Sequence, residues 1–367
     1  MIKKYIKMSR VYLNPEIYYG KGAVSCLKAI PQNNLLLLLS NTIKNSEYYK
    51  TIQSYIENKL YKEEIIPRPT SEIVLSLREK YINDKPEVII AIGGGKVIDT
   101  AKCVRFLLNN PSVQLSEMHE IQFSNNNDIK FVAVPTTPST GSEANAASVI
   151  TFPNGAKVPY INDGFVPDMA VLDFTFLESL DVRALYILAA DIFTHAIEGM
   201  TSIARTPFLK ALGTTCLSLL ESGFQKLKKN PKDLKALADI SCAGYTGGVV
   251  LGNAYVGACH ALAHTLEKQL KGSHSNHILS VLKLIMLWSK KQSNNPIYDD
   301  FLRIYDSIGF DHYVNYDIFD KVDVAQWIKD AIKDPNMLFN GIKMGIEPTK
   351  DLINFIMNNK KVIQPIQ

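Results

Sequence analysis

Five of the seven histidines in this 367-residue chain lie between positions 195 and 277, and their spacing is the first sign of chemistry. Asp191 and His195 stand four residues apart in the apolar run 189–198, so on a helix they share one face. His260 and His264 repeat that interval, and His274 follows ten residues later. Taken singly, each of these histidines reads as an ordinary satisfied side chain. Taken jointly, polar groups on otherwise apolar helices demand partners, because burying them alone is costly. One carboxylate with several imidazoles is a donor set for Fe²⁺, Zn²⁺ or a similar divalent metal. His277 and the nearby Lys271 read as parts of a solvated loop, and His119 and His312 have no supporting context.

A second chemistry is anion binding. Gly93-Gly94-Gly95 follows a predicted strand and precedes Lys96-Val97-Ile98-Asp99, where a helix begins. Glycines let backbone N–H groups approach a phosphate, and a helix N-terminus supplies positive potential. The run is not a Walker loop, because Val97 follows Lys96, and it lacks the third glycine of the usual dinucleotide fingerprint, where Ile98 stands. The loop 135–143, Pro-Thr-Thr-Pro-Ser-Thr-Gly-Ser-Glu, follows another predicted strand. In open α/β sheets ligands bind outside the carboxyl ends of strands, so two such loops predict a cleft of pyrophosphate size.

Both chemistries need a scaffold. Residues 35–39, 88–92 and 131–134 read as buried strands, with helical periodicity at 46–60, at 71–81 and from 97 onward. That alternation predicts a Rossmann-like α/β domain with a mostly parallel sheet. After residue 173 strand signals vanish and helical patterns such as 183–202 and 207–227 take over, with turns at Asn230-Pro231 and at 293–296. The expected organisation is therefore a dinucleotide-binding α/β domain over 1–180 and an all-α metal-binding and substrate domain over 181–367.

Composition narrows the partners. With 46% hydrophobic and 21% charged residues the chain is globular rather than disordered. Forty basic and 36 acidic residues leave +4, too little for its length to indicate a nucleic-acid or membrane-surface protein. The positive start at 1–8 lacks a following apolar core and reads as part of the mature chain, and no run is long enough to span a bilayer. Five widely spaced cysteines without a CxxC pair fit a reducing cytoplasm.

Together these motifs resemble the iron-containing (group III) alcohol dehydrogenase family. Its GGGSxxDxAK loop is matched by 93–102, its PTTAGTGSE loop by 135–143, and its DAxTHAxE helix by 191–198. Its HAxAH helix with a further histidine is matched by His260, His264 and His274, and Lys157 and Asp334-Pro335 are similar to further family positions. The resemblance covers nearly the whole chain in order and implies a dehydroquinate synthase-like architecture. It also implies a metal, Fe²⁺ or Zn²⁺, on Asp191, His195, His260 and His274. His264 would be the catalytic residue that relays the proton. Gly94, Gly95, Lys96, Asp99, Thr136, Thr137 and Lys157 would line the site for NAD or NADP. Asn41 stands where many members carry an acid, and Arg68 where asparagine is usual, a change that eases accommodation of a 2′-phosphate and leans toward NADP(H). The implied enzyme is an NAD(P)-linked alcohol dehydrogenase or aldehyde reductase acting on a small alcohol or aldehyde, as a homodimer or larger homo-oligomer. Related activities within reach are a phosphonoacetaldehyde or semialdehyde reductase and a glycerol-type polyol dehydrogenase. Lys96 favours the polyol reading and His195 disfavours it. A catalytically silent nucleotide-binding subunit is the non-enzyme alternative.

Overall fold

The computed structural model describes residues 11–14, 16–118 and 128–360; the N-terminal run 1–8 and His119 lie outside them. The chain divides into two compact units, Tyr12–Ser179 and a second that takes up the chain from Leu180. In the first, strands β1 (Glu16–Tyr19), β2 (Asn34–Leu39), β3 (Leu60–Ile65), β4 (Val88–Gly93), β5 (Lys130–Pro135) and β8 (Met169–Leu172) form one sheet in the order β1-β8-β5-β4-β2-β3. Every pairing in it is parallel. The remaining strands, β6 (Ala147–Thr151) and β7 (Lys157–Ile161), make a separate antiparallel pair. β2 and β4 are buried on both faces, which is why they read as unbroken aliphatic runs. Leu36, Leu38, Ile89 and Ala91 face a core shared with helices α3 (Ser71–Tyr81) and α4 (Gly95–Asn109). Leu35, Leu37, Leu39, Ile90 and Ile92 face the opposite core, which includes Ile52 and Ile56 of α2 (Glu47–Ile56), the helix after the short α1 (Asn41–Lys44).

The expected helix over 46–60 ends at Ile56, and Leu60 opens β3 instead. β3 is an edge strand of sequence LYKEEI, half-exposed along its length, so it carries no aliphatic run to betray it. Strand order reverses between β2 and β4, since β3 lies beyond one and β5 beyond the other. A crevice outside their carboxyl ends is the place where such sheets take a ligand. Leu39-Ser40-Asn41 and Gly93-Gly94 both stand there.

The second unit is helical among its described residues: α5 (Val182–Thr201), α6 (Pro207–Lys229), α7 (Leu234–Ala254), α8 (Ala258–Leu266), α9 (His274–Ser293), α10 (Ile297–Ile308), α11 (Val324–Ala331) and α12 (Ile346–Asn359). Asp181, Thr206, Asp233 and Ser273 cap α5, α6, α7 and α9 by accepting first-turn N–H groups. α5 packs against α6, α7 and α9, so most of its residues are buried, Asp191 and His195 among them. Among the described residues no helix is long and apolar enough to cross a membrane.

Candidate functional site

Three helices of the second unit deliver one cluster. α5 carries Asp191, His195 and Glu198 on a single face, at steps of four and three residues. α8 places His260 in its first turn and His264 one turn later, and α9 begins at His274. Oδ1 of Asp191 lies 3.3 Å from His195 Nε2, 3.4 Å from His260 Nε2 and 3.8 Å from His274 Nε2. The donor atoms of Asp191, His195 and His260 all fall within 4.8 Å of one another, and all three residues are buried. The His195 and His260 rings stack at 5.1 Å, and His274 adds a ring 5.4 Å from His260.

Two of the imidazoles are braced from behind. His260 Nδ1 is 2.7 Å from Glu198 Oε2, and His274 Nδ1 is 2.6 Å from Glu267 Oε1. A carboxylate behind a histidine selects the tautomer that turns the Nε2 lone pair toward a metal and makes it more basic. Glu198 also accepts the N–H groups of Gly257 (2.7 Å) and Cys259 (2.6 Å), which locks the entry to α8. Burial opposes charge on His260, yet Glu198 and Asp191 outweigh it and raise the imidazole to about 9. For His195 burial wins and pushes the imidazole down to about 4. Asp191 is drawn well below the usual carboxylate range: burial opposes this, but the surrounding imidazoles prevail. Such a set of one ionised carboxylate and oriented imidazole nitrogens around a common point fits a divalent metal ion.

Sequence reasoning missed Glu198 and Glu267 as braces, though both lie seven residues beyond a donor, Asp191 and His260 respectively, and so on the same helical face or its extension. It also misplaced His277, which is buried within α9 at 2% exposure rather than in a solvated loop, because the helix starts three residues earlier, at His274. Lys271 does stand exposed in the connection before α9. His264 stacks on His274 at 5.2 Å, its imidazole 41% exposed, with Asp334 Oδ2 3.5 Å and Asn336 Nδ2 3.4 Å from its Nδ1.

The first unit gathers the loops. Gly94 caps α4 and Gly95 opens it. A Cβ on Gly94 would meet Thr137 Oγ1 at 2.8 Å, and one on Gly95 would meet Thr140 Oγ1 at 2.4 Å, so only glycine lets the two loops pack this closely. The Thr136 N–H donates to the Gly93 carbonyl (3.1 Å), and the Ser40 N–H to the Ile92 carbonyl (3.1 Å). Lys96 is exposed on the first turn of α4, whereas Asp99 turns inward, its carboxylate accepting the Ser142 hydroxyl and the Val149 N–H (3.0 Å). Asn41 is exposed and accepts from the Asn45 side chain (3.1 Å). Arg68 is exposed too; the carbonyl of the next residue, Pro69, accepts the N–H of Thr151, whose partner across the β6–β7 pair is Lys157.

A parallel sheet with ligand-type loops at its strand ends and a helical cluster of one carboxylate and several imidazoles define a class of two-part, metal-capable α/β proteins. Its family follows from residues 14–174, which match iron-containing alcohol dehydrogenase, and 189–336, which match the C-terminal part of the same family. The NADPH-dependent butanol dehydrogenase of Clostridium saccharobutylicum is 30% identical over 267 residues, 70% of this chain and 68% of that protein. The iron-containing alcohol dehydrogenase of Thermococcus thioreducens shares the fold at a TM-score of 0.83 and 22% identity, over 95% of this chain and 100% of that one. So does the sulfoacetaldehyde reductase of Bifidobacterium kashiwanohense in complex with NAD⁺, at 0.83 and 18%, over 95% of this chain and 98% of its own. The chain belongs to the iron-containing alcohol dehydrogenase family, and its reaction class is that of an NAD(P)-linked oxidoreductase of alcohols and aldehydes.

Proposed function

We propose that this chain transfers a hydride reversibly between NADP(H) and a small alcohol or aldehyde, using one divalent metal, iron first and zinc second, held by Asp191, His195, His260 and His274. The observation that carries the reading is the approach of three Nε2 atoms to Asp191 Oδ1, with Glu198 and Glu267 bracing two of the rings. When bound, the ion supplies Lewis acidity toward the substrate oxygen, and the nicotinamide takes or gives the hydride. The protein's own groups do the rest. His264, half-exposed beside Asp334 and Asn336, passes the hydroxyl proton between substrate and water. Gly94, Gly95, Lys96, Thr136, Thr137 and Lys157 receive the dinucleotide, with Asp99 serving the same site from beneath through Ser142.

Preference for NADP(H) draws support from the neutral, exposed Asn41 at the end of β2 and from Arg68 and Lys157 on adjoining backbone. A relative named as NADPH-dependent points the same way. The five cysteines are free thiols, which supports a cytoplasmic setting. Self-association as a homodimer is supported by the edge strand β1, where Ile17, Tyr18 and Tyr19 are all exposed. The glycerol-type reading, favoured by Lys96, is disfavoured by His195, whose Nε2 is 3.3 Å from Asp191.

Two measurements test this. Purified His260→Ala should lose both bound metal and turnover with small aldehydes; full metal and activity in that variant would remove the ligand assignment. Asn41→Asp should move the NADPH to NADH ratio of kcat/KM at least about tenfold toward NADH, since a carboxylate there repels a 2′-phosphate and accepts from a ribose hydroxyl. An unchanged ratio would show that position 41 does not read the ribose.

A further inference from the structure

Beneath the two loops lies a buried charge cluster of which the reading above uses only Asp99, leaving Lys102 and Glu143 without a role. Lys102 sits on α4 one turn beyond Asp99, and its side chain is fully buried. Its ammonium donates to Asn145 Oδ1 (3.1 Å) and to the Ala147 carbonyl (2.6 Å). Asn145 in turn donates its amide to the Gly141 carbonyl (2.8 Å), at the point where the chain turns through a left-handed Gly141, φ 58°. Asp99, on the same face of α4, holds the Ser142 hydroxyl and the Val149 N–H. Two side chains of one helix therefore shape the segment 140–149, whose Thr140 leans on Gly95.

A buried ammonium survives only beside opposite charge. Asp99 and Glu143 supply it, the latter itself buried at 5% exposure. Burial pushes the Lys102 ammonium down to about 8 against the pull of Asp99 and Glu143, and pushes Glu143 up to about 7 against the pull of Lys102. The other group facing the ammonium is Cys103, which burial raises to about 12 and which stays a thiol at any working pH; it and Ser148 share a 3.2 Å contact.

We propose that the Lys102 ammonium is a positioning group for the nicotinamide cofactor: while charged it draws Asn145 and the segment 140–147 into the shape that receives the dinucleotide, and when it gives its proton to water its two hydrogen bonds lose their charge assistance, the grip slackens and cofactor affinity falls. The proposal rests on the reading of these loops as the cofactor site. It makes cofactor binding, rather than the chemical step, the pH-sensitive property of the first unit.

The test is titration of the full-length protein with NADPH, followed by nicotinamide fluorescence between about pH 6.5 and 10, with thermal midpoints taken at each pH. Expected is a dissociation constant that is flat at first and then rises by up to about tenfold per pH unit above the Lys102 midpoint. Lys102→Met should bind weakly at every pH, without a break. Glu143→Gln removes an acid that favours the ammonium, so its break should move to lower pH, whereas Lys102→Arg, charged throughout, should show none. Wild-type affinity that stays flat, a break retained in Lys102→Met, or a break unmoved in Glu143→Gln overturns the proposal, and the last of these decides even if Lys102→Met does not fold. A chain that binds neither NADPH nor NADH at any pH removes the cofactor reading itself, and the proposal with it. Binding without a break removes only the proposal.

Discussion

Glu198 receives three donors, from Gly257, Cys259 and His260, with one carboxylate. Its replacement by glutamine keeps the volume but offers one acceptor oxygen instead of two, so His260 loses the partner that turns its Nε2 inward. Glu198→Gln is expected to weaken metal binding by about 10–100-fold, the usual cost of disturbing a ligand's supporting carboxylate. Competition with a chelating dye measures it, and undiminished affinity would mean that α8 alone holds His260 in place. At this scale two pairings were legible because a four-residue interval on a helix is a local property: Asp191 with His195, and His260 with His264, share faces whatever the rest of the chain does. Glu198 and Glu267 were not legible as braces, since each touches a ring on another helix or across a connection.

Elements meet most tightly where α4 begins. The 2.4 Å that a Gly95 Cβ would leave to Thr140 Oγ1 is shorter than real Cβ contacts, so Gly95→Ala must displace Thr140 and disturb the 135–145 loop that carries it. NADPH affinity should fall roughly tenfold while the thermal midpoint holds, because alanine favours the helix that starts there. Adding Thr140→Ala should restore part of the affinity by reopening the space; a double variant no better than the single one would place the damage elsewhere. The same scale shows why β2, β4 and β5 could be read from sequence while β1 and β3 could not. The first three carry uninterrupted buried apolar runs, LLLLL in β2, VIIAI in β4 and FVAV in β5. The other two are edges, EIYY and LYKEEI, whose composition answers to solvent on one side rather than to a core.

For the molecule as a whole, the two compact units carry separate ligands in this reading, so ligands should protect them separately. In hydrogen exchange, metal added to the chelated protein is expected to slow amides of α5, α8 and the start of α9, and NADPH those at the start of α4 and in the 135–145 loop. Metal protection confined to the first unit would contradict the assignment of His195, His260 and His274.

The sequence by itself determined the alternation of strand and helix, the glycine and hydroxyl loops, and the four-residue spacing of Asp191 with His195 and of His260 with His264, because each of these is set by residues within a few turns of one another. Tertiary structure alone decided that residues 191, 195, 260 and 274 face one point, that Glu198 and Glu267 stand behind the rings, that His277 is buried, and that the buried Lys102 ammonium meets Asn145 and the Ala147 carbonyl. Those outcomes depend on which elements pack together and on burial, which pushes the Lys102 ammonium down to about 8 and the Glu143 carboxyl up to about 7.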